Sequence, residues 1–177
     1  KRVHGGEPKY DHKVIGGNFR IDALQAAVLR VKLPHLDKWS EKRRHNAQRY
    51  TQLFIEAGLA EETGKTNFDA KNKVLLPKAV YEKSGAKNYH IYNQYIVRVD
   101  KRDEMREFLT KNEIGTEIYY PVPFHLQECF KDLGHKKGDF PISEFSADKS
   151  LALPIYPELS DEQLICVVET FKKFFNQ

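Results

Sequence analysis

The sequence predicts a mixed fold of helices packed on a small sheet, and three observations predict it. A stretch near each end carries apolar residues at helical spacing behind a good N-cap, Asp22 in one case and Ser160 in the other. Between them, Tyr89 to Asp100 alternates with the period of a strand. Short apolar runs bounded by glycine and proline complete the order strand–helix–strand–helix–helix–strand–helix. That order describes an α+β unit with its helices on one side of the sheet.

Each element has its own justification. Lys1 to Arg20 holds the pairs Gly5-Gly6 and Gly16-Gly17 around Pro8 and reads as loop. A helix starts behind Asp22, with Gln25 three residues on as in a capping box. Leu24, Ala27, Val28 and Val31 define a stripe expected to be buried. Pro34 lacks an N–H and kinks or interrupts the helix. The phase resumes with Leu36, Trp39, Ala47, Tyr50, Leu53 and Phe54, and Gly58 suits the C′ position. Leu59 to Asn88 is a polar connector with one short strand at Val74–Leu76, and a boundary between structural units is expected near Gly58.

Within the strand, Ile91, Asn93, Tyr95, Val97 and Val99 share one face. Asp100 is expected to cap a helix carrying Met105, Phe108 and Leu109, which ends at Gly115. Thr116 to Tyr120 reads as a short strand running into Pro121-Val122-Pro123. Leu126, Cys129, Phe130 and Leu133 make a small amphipathic helix closed by Gly134. Ser143 is a candidate cap for another, before the strand Leu151–Leu153 that Pro154 stops. The last helix has the clearest start, because Ser160 and Gln163 form a capping box ahead of Leu164, Val167, Val168, Phe171, Phe174 and Phe175.

Composition excludes whole classes. With 40% hydrophobic residues among 177 the chain is too apolar to be disordered, and no run reaches the ~18 residues of a membrane helix. Two distant cysteines, Cys129 and Cys166, exclude a disulfide scaffold and a structural zinc site and suit a reducing compartment. Beginning at Lys1 without a signal peptide, the chain reads as a piece of a longer cytoplasmic protein. Between Arg30 and Tyr50 seven basic residues face two acids. With no recognition helix beside them, a solvated helix face is expected rather than nucleic-acid binding.

Two segments could carry chemistry. Gly16-Gly17-Asn18-Phe19-Arg20 lies directly before a capped helix, where glycines permit close approach and an amide and a guanidinium could hold an anion. Read from composition alone, a glycine-rich turn with a surface arginine explains it as well. Ile118-Tyr119-Tyr120-Pro121-Val122-Pro123-Phe124-His125 is stiffened by its prolines, and its phenols and imidazole suit a polar, ring-shaped ligand such as a sugar or nucleotide. An edge strand with tyrosine hydroxyls at the rim explains it too. His90 and His125 could form a catalytic base or ligand pair, but a lone strand histidine reads as structural, and Glu144 as a first-turn acid rather than a general base. Hydrolase, Walker, zincin and dinucleotide-binding signatures are all missing from the sequence.

Four motifs stand in the order of a known family. They are Gly17-Asn18-Phe19-Arg20-Ile21-Asp22-Ala23-Leu24-Gln25-Ala26-Ala27; His90-Ile91-Tyr92-Asn93-Gln94-Tyr95; Ile114-Gly115-Thr116 with Tyr119-Tyr120-Pro121-Val122-Pro123 and His125; and Phe140-Pro141 with Glu144 and Leu151-Ala152-Leu153-Pro154. Together they resemble the C-terminal half of the DegT-type, pyridoxal-phosphate-dependent sugar-nucleotide aminotransferases. Only Glu61 to Lys87 looks longer than the family connector.

The resemblance implies an α/β fold, the aspartate-aminotransferase (PLP-transferase) fold type I. Residues 1–58 would be the end of the large domain plus a helical arm, and 59–177 the small α+β C-terminal domain. It implies the cofactor pyridoxal 5'-phosphate and a cytoplasmic homodimer with shared active sites, binding neither nucleic acid nor membrane. Asn18 would donate to the cofactor phosphate across the dimer contact, and Arg20 would hold that phosphate or an acidic substrate group. Tyr119, Tyr120 and His125 would line the sugar-nucleotide site, Tyr119 standing where relatives often have histidine. The reaction implied moves an amino group from glutamate to a keto-sugar nucleotide, of the 3-keto kind. The Schiff-base lysine belongs to the family's upstream half, so no catalytic residue is assigned to this chain, which is expected to be inactive alone. A deoxysugar dehydratase on the same scaffold, with histidine replacing that lysine, and a regulatory interaction module are the alternatives.

Overall fold

The computed structural model describes residues 20–176. The chain divides into two compact units, 1–36 and 37–177. The division falls after Leu36, not at the unit boundary expected near Gly58, because Tyr50 and Phe54 share one core with residues beyond it.

In the first unit, helix α1 (Ala23–Lys32) begins where expected, the Asp22 carboxylate accepting the Gln25 N–H at 2.8 Å. Its stripe departs from expectation. Leu24, Val28 and Val31 are 82%, 53% and 70% exposed, and no residue of α1 is buried. Helical spacing gathers these side chains on one face, but a face is buried only by a covering surface, and the described residues bring none to it. A 3-10 turn at Leu33–His35 carries Pro34 at its start.

The second unit is built on helix α2 (Leu36–Glu56) and a three-stranded antiparallel sheet in the order β1 (Val74–Leu75), β2 (Tyr95–Val99), β3 (Ser150–Leu153). Register pairs Tyr95 with Leu153 and Val97 with Leu151, and Val74 with Val99. The odd residues of β2 are fully buried and join Tyr50 and Phe54 of α2 in one core. Met105 and Leu109 of α3 (Arg102–Lys111) and Leu164, Val167, Val168 and Phe171 of α5 (Asp161–Phe175) complete that core. The Tyr50 and Tyr95 rings stack at 5.1 Å, and Phe54 meets Phe171 edge-on at the same distance. Burial pushes both tyrosine hydroxyls above their usual acidity range. Each finds a partner, Tyr50 donating to the Pro154 carbonyl and Tyr95 meeting Thr51.

Several local expectations need correction. Tyr89 to Gln94 is not strand, because Tyr92 adopts φ 45° and its N–H turns back onto Nδ1 of His90. Asp100 does not cap α3; it pairs with Lys149 instead, and Lys101 stands at the cap without a side-chain bond. Thr116 to Tyr120 contributes only an isolated bridge, Glu117 to Ala152, and Cys129 to Leu133 falls within a 3-10 helix without a buried residue. Helix α4 (Pro141–Lys149) has Phe140 at its cap, leaving Ser143 inside the first turn. The helices also do not all lie on one face. Arg98, on the even side of β2, sits over the Phe145 ring of α4 at 5.8 Å, so α4 covers the second face. The basic run is more than a solvated surface, since Arg43 donates to the carbonyls of Tyr92, Asn93 and Ile155, Arg44 to Asn88, and Arg49 to Asp161. These arginines tie α2 to distant loops and to the start of α5.

Candidate functional site

The site grows from the edge of the sheet. Glu117 exchanges both backbone hydrogen bonds with Ala152 of β3, at 3.2 and 2.8 Å. That bridge fixes the chain just before Tyr119, and the prolines at 121 and 123 then keep it out of regular structure. A 3-10 turn at Phe124–Leu126 brings His125 inward, while Tyr120 and Phe124 stay 71% and 78% exposed. Opposite them stand Phe140 and the first turns of α4.

Between these walls lies a cavity of about 720 Å³, of the size that holds small organic ligands. Tyr119, Tyr120 and His125, singled out from the sequence, all line it, with Gln127 among their neighbours. The facing wall supplies Phe140, Ile142, Ser143 and Ser146. The composition is amphiphilic, with aromatic faces and proline rings for stacking and phenol, amide and hydroxyl groups for hydrogen bonds.

One carboxylate joins the two walls. Oε1 of Glu144, in the first turn of α4, meets His125 Nε2 at 2.9 Å and accepts the N–H groups of Gly138 at 2.7 Å and Phe140 at 3.4 Å. The Gly138 amide, followed by His125, holds this carboxyl below its ordinary pKa. The pair is enclosed, its side chains only 7% and 16% exposed, and the His125 ring packs on Phe140 at 4.8 Å. Sequence reasoning placed Glu144 correctly in a helix's first turn but missed His125 as its partner. The available signal was the proximity of Glu144 to Pro141; the distance of 19 residues to His125 hid the pairing.

The remaining site residues lie elsewhere. Asn18 is outside the described residues. Arg20 belongs to the first unit, exposed and two residues ahead of the α1 cap. Because Asp22 already occupies that cap, an anion near it would be held by side chains, and the guanidinium of Arg20 is a donor whose chemistry fits a phosphate. His90 accepts the Tyr92 N–H, and burial lowers its pKa, both as expected of a structural histidine. The described residues contain no group of three or more metal-ligating side chains and no helix long and apolar enough to cross a membrane. Both cysteines are free and exposed.

The profile of the DegT/DnrJ/EryC1/StrS aminotransferase family matches residues 2–172. This chain belongs to that family. It is 44% identical over 174 residues to a pleiotropic regulatory protein of Geobacillus stearothermophilus, covering 98% of this chain and 42% of that protein. It is 32% identical over 173 residues to the dTDP-3-amino-3,4,6-trideoxy-alpha-D-glucose transaminase of Streptomyces venezuelae, covering 98% and 41%. Among solved structures, S. venezuelae DesV in complex with a ketimine intermediate superposes with a TM-score of 0.78 at 31% identity, over 99% of this chain and 42% of that one. The chain thus spans about two fifths of the length of these relatives. The fold is that of the family's sugar aminotransferases.

Proposed function

We propose that this chain is the C-terminal portion of a cytoplasmic, homodimeric, pyridoxal-phosphate-dependent aminotransferase that aminates a 3-keto sugar nucleotide at the expense of glutamate. The observation that carries the reading is that Tyr119, Tyr120 and His125, from one family motif, line one cavity. The S. venezuelae transaminase, named for a product with its amino group at ring position 3, supports the substrate class. In the whole enzyme, residues 1–58 would close the large domain and 59–177 would form the small one.

Pyridoxal phosphate supplies an electron-withdrawing ring that carries an amino group between donor and keto sugar. The residues of this chain bind and orient. Asn18 would donate an amide hydrogen bond to the cofactor phosphate, and Arg20 would neutralise that phosphate or receive an acidic substrate group. Tyr119 and Tyr120 pack their rings against the sugar nucleotide and direct their hydroxyls to its polar edge. His125 contributes a polar atom to the same cavity.

The test uses the full-length protein loaded with cofactor. It is expected to convert glutamate to 2-oxoglutarate beyond one equivalent per active site only when a 3-keto sugar nucleotide is present to take the amino group, while residues 1–177 alone show no turnover. Arg20→Ala should speed cofactor loss and leave the dimer intact; unchanged retention and turnover would contradict its role. A second reading, a regulatory module, rests on the name of the Geobacillus relative, a pleiotropic regulatory protein. It requires polyanion or partner binding without transamination, and binding to nucleic acid would weaken steeply with salt.

A further inference from the structure

We infer that Glu144 is a positioning residue that keeps His125 protonated on Nε2, so that His125 meets a ligand in the cavity through Nδ1, as a hydrogen-bond acceptor for a sugar hydroxyl. The inference rests on the reading of the cavity as a nucleotide-sugar site and names one polar contact within it.

An ionised carboxylate offers lone pairs only. Oε1 of Glu144 already accepts two backbone N–H groups, so its 2.9 Å contact with Nε2 requires the proton to be on the imidazole. With Nε2 committed, a neutral ring has one polar atom left, the lone pair of Nδ1. No hydrogen bond to Nδ1 is present among the described residues, and His125 lines the cavity. The hydroxyls around it (Tyr119, Tyr120, Ser143, Ser146) donate as readily as they accept. Nδ1 accepts only. It therefore sets a direction that a ligand hydroxyl must satisfy, and a keto or ether oxygen cannot. Glu144 also spans the walls, tying the turn that carries His125 to the Gly138–Phe140 segment. Loss of its charge would free the tautomer and loosen the opening together.

The decisive experiment has two arms on the full-length protein. Imidazole 15N shifts should identify His125 as the neutral Nε2–H tautomer in the unliganded wild type, and either the Nδ1–H tautomer or the doubly protonated ring, in which Nδ1 donates, would overturn the inference. Calorimetric titration with dTDP-glucose and UDP-N-acetylglucosamine then compares variants whose melting temperatures are recorded alongside. Glu144→Gln keeps the shape and removes the charge, and should weaken binding of the preferred nucleotide sugar about tenfold with little loss of thermal stability. His125→Asn places an amide oxygen near the Nδ1 position and should bind within about threefold of wild type, whereas His125→Gln should lose about tenfold. Equal affinities of Asn and Gln variants, or an unaffected Glu144→Gln protein, would show a merely structural pair. A wild type that binds neither nucleotide sugar would overturn the cavity reading and the ligand half of the inference, while the tautomer measurement still judges the Glu144–His125 half.

Discussion

The core beneath α2, α3 and α5 and the cavity beside α4 belong to the same packed unit but are held by different forces. In the core, Tyr95, Val97, Val99, Met105, Leu109 and Phe171 are fully buried, and the bonding is apolar and collective. Around the cavity, the 3-10 segments Phe124–Leu126 and Glu128–Leu133 add no residue to the buried core, although the His125 side chain is enclosed, and Tyr120, Phe124 and Ile142 stand 71–79% exposed. That region is shaped by prolines, one backbone bridge to β3 and the bonds of Glu144. Stability and binding should therefore separate on mutation. A residue of the first region ought to cost folding free energy, and one of the second mainly affinity.

The largest effect should come from Phe171→Ala, where deleting a fully buried ring that packs on Phe54 is expected to cost about 3–5 kcal/mol in urea unfolding. A cost under ~1 kcal/mol would erase the contrast. Next comes Arg43→Met, which strips the guanidinium from the carbonyls of Tyr92, Asn93 and Ile155 and should cost about 1–3 kcal/mol. Ser160→Ala removes half of a formed capping box and should cost about 1 kcal/mol, read in the same way. A smaller, pH-dependent effect is expected at Glu144. Its folded pKa lies below the ordinary value, so its contribution is present above that value and fades as pH falls through the folded one. The stability difference between wild type and Glu144→Gln should shrink on acidification below about pH 4, and a difference that grows there would reverse the sign. Smallest of all, Tyr120→Ala should change stability by no more than about 0.5 kcal/mol, because its side chain is mostly in solvent.

The two regions also differ in how far sequence reasoning reached. Core elements with local signals were legible: the Ser160–Gln163 capping box forms as expected, and the strand before Pro154 lies within one residue of its expected start. Alternation alone overran β2 through Tyr89–Gln94, because period does not reveal a single residue turning to positive φ, as Tyr92 does. Asp100 looked like a cap by residue type, yet Lys149, 49 residues away, competes for its carboxylate. In the cavity, Tyr119, Tyr120 and His125 were found through a contiguous motif. The Glu144 pairing escaped because it is a long-range contact between two polar residues with no periodicity to betray it. The apolar stripe of α1 was legible as a pattern but not as burial, since burial depends on what meets the helix.

The central claim is that the cavity between the Tyr119–His125 segment and α4 receives the sugar nucleotide. A crystal structure of the full-length protein with cofactor and a bound nucleotide sugar addresses it most directly. The account predicts ligand density against Tyr119, Tyr120 and His125, with a hydroxyl within hydrogen-bond distance of Nδ1. A nucleotide sugar bound well away from these side chains, with the cavity filled only by solvent, would contradict it.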